Sequence, residues 1–154
     1  MNRPCTQRYI QVIVTKARRA GKTVVFTNGV FDILHRGHVE YLAKAKSFGD
    51  ILIVGLNNDQ SVRRIKGASR PVQSQGDRAA ILLALKSVDY VVMFGEDTPE
   101  KLIAIVRPDV LVKGADYTID AIVGAKQVLS HGGRVKRVRL TVGRSTTGIV
   151  RKIS

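Results

Sequence analysis

Apolar positions along this chain follow two alternating rhythms. Residues 6–20 place Tyr9, Ile10, Val12, Ile13 and Ala17 at rough helical spacing between basic residues. That spacing predicts an amphipathic helix, closed by Gly21. A short apolar run then marks a strand over 23–28, and a second helical pattern (Val39, Leu42, Ala43, Lys46) predicts a helix over 37–48 with Gly49 as its stop. The continuous apolar run Ile51–Leu56 predicts a strand buried on both faces. From Asn57 to Gly76 periodicity disappears among serines, glycines and cations, which predicts a long functional or mobile loop with room for one short helical turn at 59–64.

Ser74 and Asp77 have capping-box spacing ahead of a helix expected over 77–86. A strand over 90–94 follows. Thr98, Pro99 and Glu100 supply an N-cap, a first-turn proline and a first-turn acid for the next helix, which ends before Pro108. A strand over 110–113, a turn over 114–118, a helix over 119–130 and a strand over 135–140 follow in order. Ser145 and Thr146 cap a last helix over 147–152. Strand and helix alternate throughout, so the fold class is α/β, with a five-stranded parallel sheet covered by helices on both faces. Residues 1–22 form a helical extension and residues 23–154 the main domain. Ligands in such sheets bind beyond the carboxyl ends of the strands, where strand order reverses. The polar segments 28–38, 57–70, 96–98, 113–117 and 143–147 all fall there.

Composition changes this picture little, but charge does. The chain has 154 residues, 44% hydrophobic and 25% charged, which excludes a disordered chain. No apolar run approaches a membrane span, and no apolar stretch follows Arg3 and Arg8 as in a signal peptide. A single cysteine, Cys5, in an end expected to fray, makes no internal disulfide; a cytoplasmic protein is expected. The net charge of +14 attracts polyanions: nucleic acid, a nucleoside triphosphate or a sugar phosphate, unless it is a solvated surface only. Aromatic content of 5% without tryptophan is thin material for base stacking.

The chemistry concentrates where the first strand meets its helix, at Thr27-Asn28-Gly29 and His35-Arg36-Gly37-His38. A helix N-terminus offers free N–H groups and partial positive charge to phosphate, two imidazoles add donors, and Gly37 lets a large anion approach. The pair also reads as one cap and one core histidine. Arg144-Ser145-Thr146-Thr147 starts a second helix that suits an anion, and Lys66, Arg78 and Lys113 add cations. The chain contains no P-loop, no G-x-G-x-x-G and no G-x-S-x-G, and too few Cys and His for structural zinc. What remains is positioning and electrostatic stabilisation of a phosphoryl group in transfer.

The stretch Thr27–His38, ending in H-x-G-H, resembles the first signature of the cytidylyltransferase-like nucleotidyltransferases. Arg144-Ser145-Thr146-Thr147-Gly148-Ile149 resembles their second, usually I-S-T-T-x-I, with Arg144 replacing an apolar residue. Within this superfamily, Lys66–Val72, Glu96–Pro99 and Leu111–Tyr117 are most similar to the adenylyltransferase domain of ADP-heptose synthases, and a stand-alone version of that domain is expected. The resemblance implies a single Rossmann-like domain of the HxGH nucleotidyltransferase fold. The implied substrates are ATP and a sugar phosphate, D-glycero-D-manno-heptose 1-phosphate. The products would be pyrophosphate and ADP-heptose, for lipopolysaccharide or surface-glycan synthesis. It further implies Mg²⁺ bridging phosphates, with no dedicated protein ligands, and a homodimer or higher homo-oligomer.

By the same resemblance His35, His38 and Lys66 are catalytic, with Lys66 closing from the long loop. Thr27, Asn28, Gly29, Phe31, Asp32 and Gly37 shape the nucleotide site, joined by Arg78, Lys113, Gly114, Ser145, Thr146 and Thr147. Asn57, Asp59, Asp116 and Tyr117 face the sugar side, with Asn57 and Asp59 near the sugar or the metal. Two rivals stay open. One is the same chemistry on glycerol 3-phosphate, ethanolamine phosphate or FMN. The other is a basic nucleic-acid-binding module without catalysis, supported only by the charge; the enzyme reading expects no nucleic acid and no membrane.

Overall fold

A computed structural model describes residues 3–141 and 143–154. Its core is a parallel sheet of β1 (Val24–Gly29), β2 (Ile51–Asn57), β3 (Tyr90–Phe94), β4 (Val110–Gly114) and β5 (Arg134–Val138) in the order β3-β2-β1-β4-β5. The apolar strand runs are buried on both faces. Val24 and Phe26 pack on one side with α1 (Gln7–Arg19), α5 (Glu100–Val106) and α6 (Ala125–Ser130). Val25, one residue out of phase, packs on the other with α2 (Arg36–Lys46) and α4 (Gln75–Leu83). The expected five-stranded α/β domain with two covered faces is therefore present. Strand order reverses between β1 and β4, which opens a crevice at their carboxyl ends.

Acids secure the opposite, amino end of the sheet. Asp109 accepts the Val24 N–H at 2.7 Å, Asp50 that of Thr23 at 2.8 Å, and Asp89 that of Leu52 at 2.7 Å. Three carboxylates are thus spent on strand starts, away from the crevice.

Several elements differ from the sequence expectation. Residues 59–66 form a full helix, α3 (Asp59–Lys66), capped by the Asn58 side chain and ended at Gly67, so Lys66 sits on a helix and the loop shrinks to 67–74. Ser74 does cap α4, accepting from the Asp77 N–H at 3.2 Å, although that helix begins at Gln75. Pro99 is the N-cap of α5, not its first helical residue, and Thr98 caps nothing. The helix expected over 119–130 is broken: a 3-10 turn spans 119–121, and Gly124, at φ +86°, starts the shorter α6. That left-handed backbone suits glycine alone, and a side chain there would also strike Ile103. Finally, Cys5 is not frayed. Its N–H donates to Val91 O at 2.7 Å, pairing the amino-terminal segment with β3, and α1 buries Ile10, Ile13, Val14 and Ala17 in the main core.

Candidate active site

The crevice is a cleft of about 550 Å³, within the roughly 300–1,000 Å³ typical of small-molecule sites. One wall is the β1–α2 corner. The other is the start of α7 (Thr146–Ile153), whose N-cap Ser145 accepts the Gly148 N–H at 3.0 Å. The two helix starts meet closely. A Cβ on residue 37 would lie 2.9 Å from the His35 ring and 3.2 Å from Arg144 Cβ. Gly37 is thus required by side chains, not by its backbone angles. Thr146 Oγ1 donates to Ile33 O at 3.2 Å and ties α7 to the histidine segment.

At the start of α2 the His35 and His38 rings stack at 3.9 Å, and Phe31 meets His38 edge-on at 5.3 Å. Phe31 reaches this position with φ +47°, a left-handed conformation that a bulky residue rarely adopts. The His35 N–H donates to His38 Nδ1 at 3.3 Å. Since Nδ1 is an acceptor, the proton of neutral His38 resides on Nε2. Burial, and then the neighbouring His35, push the His38 pKa down to about 4. Burial, and then the Arg144 charge, lower that of His35. The pair is therefore neutral near pH 7 and still presents an N–H donor. His35 Nδ1 is buried without a partner.

Of the residues expected at the site, Asn28, Gly29, Phe31, Asp32, His35, Gly37 and His38 line the cleft from the β1–α2 side. Asn57, Lys66, Lys113, Gly114 and Tyr117 line it from the neighbouring strands and α3, and Ser145, Thr146 and Thr147 from α7. Lys113, its pKa lowered by burial, donates to Asn28 O at 3.4 Å and lies 5.6 Å from the Tyr117 ring.

Four expected residues are not brought to the cleft. Thr27 is fully buried, and its hydroxyl bonds the Tyr41 hydroxyl at 2.8 Å, which in turn donates to Val112 O. Arg78 is fully buried. It donates to Val30 O at 2.7 Å, Asn57 O at 2.9 Å, Gln73 O at 3.1 Å and Asp59 at 2.7 Å. It joins the ends of β1 and β2 instead of meeting phosphate, and it occupies Asp59 in doing so. Asp116 is exposed outside the cleft.

Asp32 lines the cleft, but its carboxylate is engaged. It accepts from Arg70 at 2.6 Å and from the Val72 and Gln73 N–H groups at 2.9 Å. Burial works against its charge, yet the Gln73 and Val72 N–H groups and Arg70 hold the carboxyl below its usual range. Asp32 therefore anchors the 67–74 loop. Sequence reasoning assigned no site role to Tyr41, Ile65, Arg70, Asp97, Pro99, Leu140 or Thr141, all of which line the cleft, and it named Arg144 only within the anion-binding start of the last helix. Arg70, Asp97 and Pro99 lay in stretches quoted for the family likeness; Tyr41, on the buried face of α2, carried no such signal.

The cytidylyltransferase-like family model matches residues 26–152, from inside β1 to the end of α7, so the match contains both walls of the cleft. The chain belongs to the cytidylyltransferase-like family. It is 60% identical over 136 residues to the bifunctional protein HldE of Syntrophotalea carbinolica, covering 88% of this chain and 28% of that protein. The chain thus spans under a third of the length of this curated relative. Among solved structures, the lipopolysaccharide core biosynthesis protein of Thermoplasma volcanium superposes with a TM-score of 0.62 at 34% identity, over 79% of this chain and 98% of that one. The pantoate-β-alanine ligase of Francisella tularensis shares the fold at a TM-score of 0.66 and 18% identity, over 95% of this chain and 70% of the other. In this cytidylyltransferase-like protein the two stretches that resemble the family signatures lie within the match and form the facing walls of the cleft.

Proposed function

We propose that this chain is an adenylyltransferase that moves AMP from ATP to D-glycero-D-manno-heptose 1-phosphate, giving ADP-heptose and pyrophosphate. The observation that carries the reading is the meeting of two helix N-termini across one cleft, with neutral histidine donors on one side and the Ser145–Thr147 start on the other. An oxygen of the sugar phosphate attacks the α-phosphorus in line. The bond from that phosphorus to the bridging oxygen breaks, and its electron pair leaves with pyrophosphate. His35 and His38 donate to the charge that builds on the α-phosphoryl oxygens. The α7 start holds the β- and γ-phosphates, and Lys66, exposed at the end of α3, reaches them from the other wall.

The choice of heptose rests on likeness to the HldE proteins and to a lipopolysaccharide core biosynthesis protein, together with the Lys66–Val72 and Leu111–Tyr117 stretches. Mg²⁺ belongs to the proposal as a companion of the triphosphate. The cleft carboxylates are engaged, Asp32 by Arg70 and Asp97 by Arg64 at 2.9 Å, and no group of three possible metal ligands occurs among the described residues. Such an ion would be held by phosphate oxygens and water, withdrawing charge from the phosphoryl groups.

The test is pyrophosphate release with ATP or CTP against a panel of heptose 1-phosphate, glycerol 3-phosphate, ethanolamine phosphate and FMN. ATP with the heptose phosphate should exceed every other pair. Preference for another acceptor, or for CTP, would overturn this substrate assignment.

A further inference from the structure

Among the described residues the Arg144 guanidinium has no task in the fold. The residue precedes the N-cap of α7 and lines the cleft, yet among the described residues its guanidinium makes no ion pair. The acid whose charge it feels, Glu40, is already held by Arg36 at 2.6 Å and by the Thr141 hydroxyl at 2.5 Å. Two other cations of the cleft are engaged: Arg70 pairs with Asp32, and Lys113 donates to Asn28 O, while Lys66 stands on the other wall.

Its position is also electrostatically unfavourable with respect to the fold alone. Arg144 packs its stem against Gly37 in the first turn of α2 and stands one residue before the cap of α7. Both helix N-termini carry partial positive charge, which disfavours a nearby cation. Beside it, His35 keeps a buried ring nitrogen without a partner. A neutral side chain would serve folding better at this seam. An anion bound between the helix starts attracts the guanidinium and both helix ends, and so offsets this repulsion.

We propose that Arg144 is a catalytic residue of this chain: it binds the departing pyrophosphate portion of the nucleotide across the two helix starts. This rests on the nucleotidyl-transfer reading. As the bond from the α-phosphorus to the bridging oxygen breaks, negative charge grows on the leaving pyrophosphate, and the guanidinium fork meets it with two donors. The charge of Arg144 is permanent, whereas the histidines beside it are neutral donors.

The test compares wild type with Arg144→Ile and Arg144→Lys in turnover of ATP, in calorimetric binding of inorganic pyrophosphate, and in thermal melting without ligand. Arg144→Ile should lower kcat/KM for ATP on the order of a hundredfold and weaken pyrophosphate binding about tenfold or more. Arg144→Lys should recover only part of the loss, because a point charge lacks the fork. The melting temperature of Arg144→Ile should stay level or rise, whereas a structural role would lower it. Wild-type turnover and pyrophosphate affinity in Arg144→Ile would overturn the proposal. If wild type itself transfers no AMP, the nucleotidyl-transfer reading fails, and unchanged pyrophosphate affinity in the variant would still overturn a role for Arg144 in anion binding.

Discussion

The starts of α2 and α7 face one cleft and are built in opposite ways. The α2 start is dry. Gly37 is buried, the stacked histidines are half-buried under Phe31, and burial keeps His38 neutral. The α7 start is wet: no residue of that helix is buried, and its cap and its preceding arginine are exposed. A donor held in a dry place is fixed in direction and protonation before substrate arrives, which suits charge that develops only in the transition state. A cation at a wet helix end is screened and adjustable, which suits capture of a charged substrate and release of a charged product. The contrast teaches that two helix N-termini of the same chemical type take different tasks according to their burial.

The largest expected effect comes from removing the dry donor. His38→Ala should lower turnover on the order of a hundredfold or more, read as kcat for pyrophosphate release. Because the His38 proton sits on Nε2, His38→Gln, whose amide reaches that position, should retain more activity than His38→Asn, whose shorter amide matches Nδ1. The reverse ranking would contradict the assigned tautomer. Gly37→Ala should lower turnover about tenfold to a hundredfold, since the new methyl collides with the His35 ring and the Arg144 stem and displaces the donors.

A smaller effect appears in the pH dependence of folding. The His38 pKa lies at about 4 in the folded chain against an ordinary 6.5, so the unfolded chain binds the proton more readily between these values. Stability should fall as pH drops from 6.5 towards 4, and His38→Gln should flatten that window in denaturant titrations. The smallest effect belongs to the cap of the wet helix. Ser145→Ala should cost about 1 kcal/mol at most in chemical denaturation. It should raise the KM for ATP more than it lowers kcat.

Much of this comparison was legible in the residues. The strand runs and the two signatures located the cleft, because continuous apolar stretches and glycine-bounded histidines have few other uses. The helix α3 was legible only as a short turn over 59–64: among the eight residues Asp59–Lys66 it buries only Ser61 and Val62, so it shows no apolar stripe. Thr27 and Arg78 read as ligand groups because a polar residue beside a site carries no mark of which way it faces. Their partners are backbone carbonyls, the Asp59 carboxylate and a tyrosine hydroxyl, brought close only by folding. Arg78→Met should therefore leave the Val30 and Asn57 carbonyls unpaired at about 1–3 kcal/mol each, an effect on melting and not on the chemical step. The neutrality of the histidines was likewise hidden, since it arises from burial beneath Phe31 and from the approach of Arg144.

The most direct test of the account follows the label of ATP carrying ³²P at the α-phosphorus, incubated with heptose 1-phosphate, Mg²⁺ and the protein. The account predicts that the α-label appears in a nucleotide sugar, while a γ-label appears only in pyrophosphate. Label from the γ-position on the acceptor, or α-label remaining in ATP at all protein concentrations, would contradict nucleotidyl transfer at this cleft.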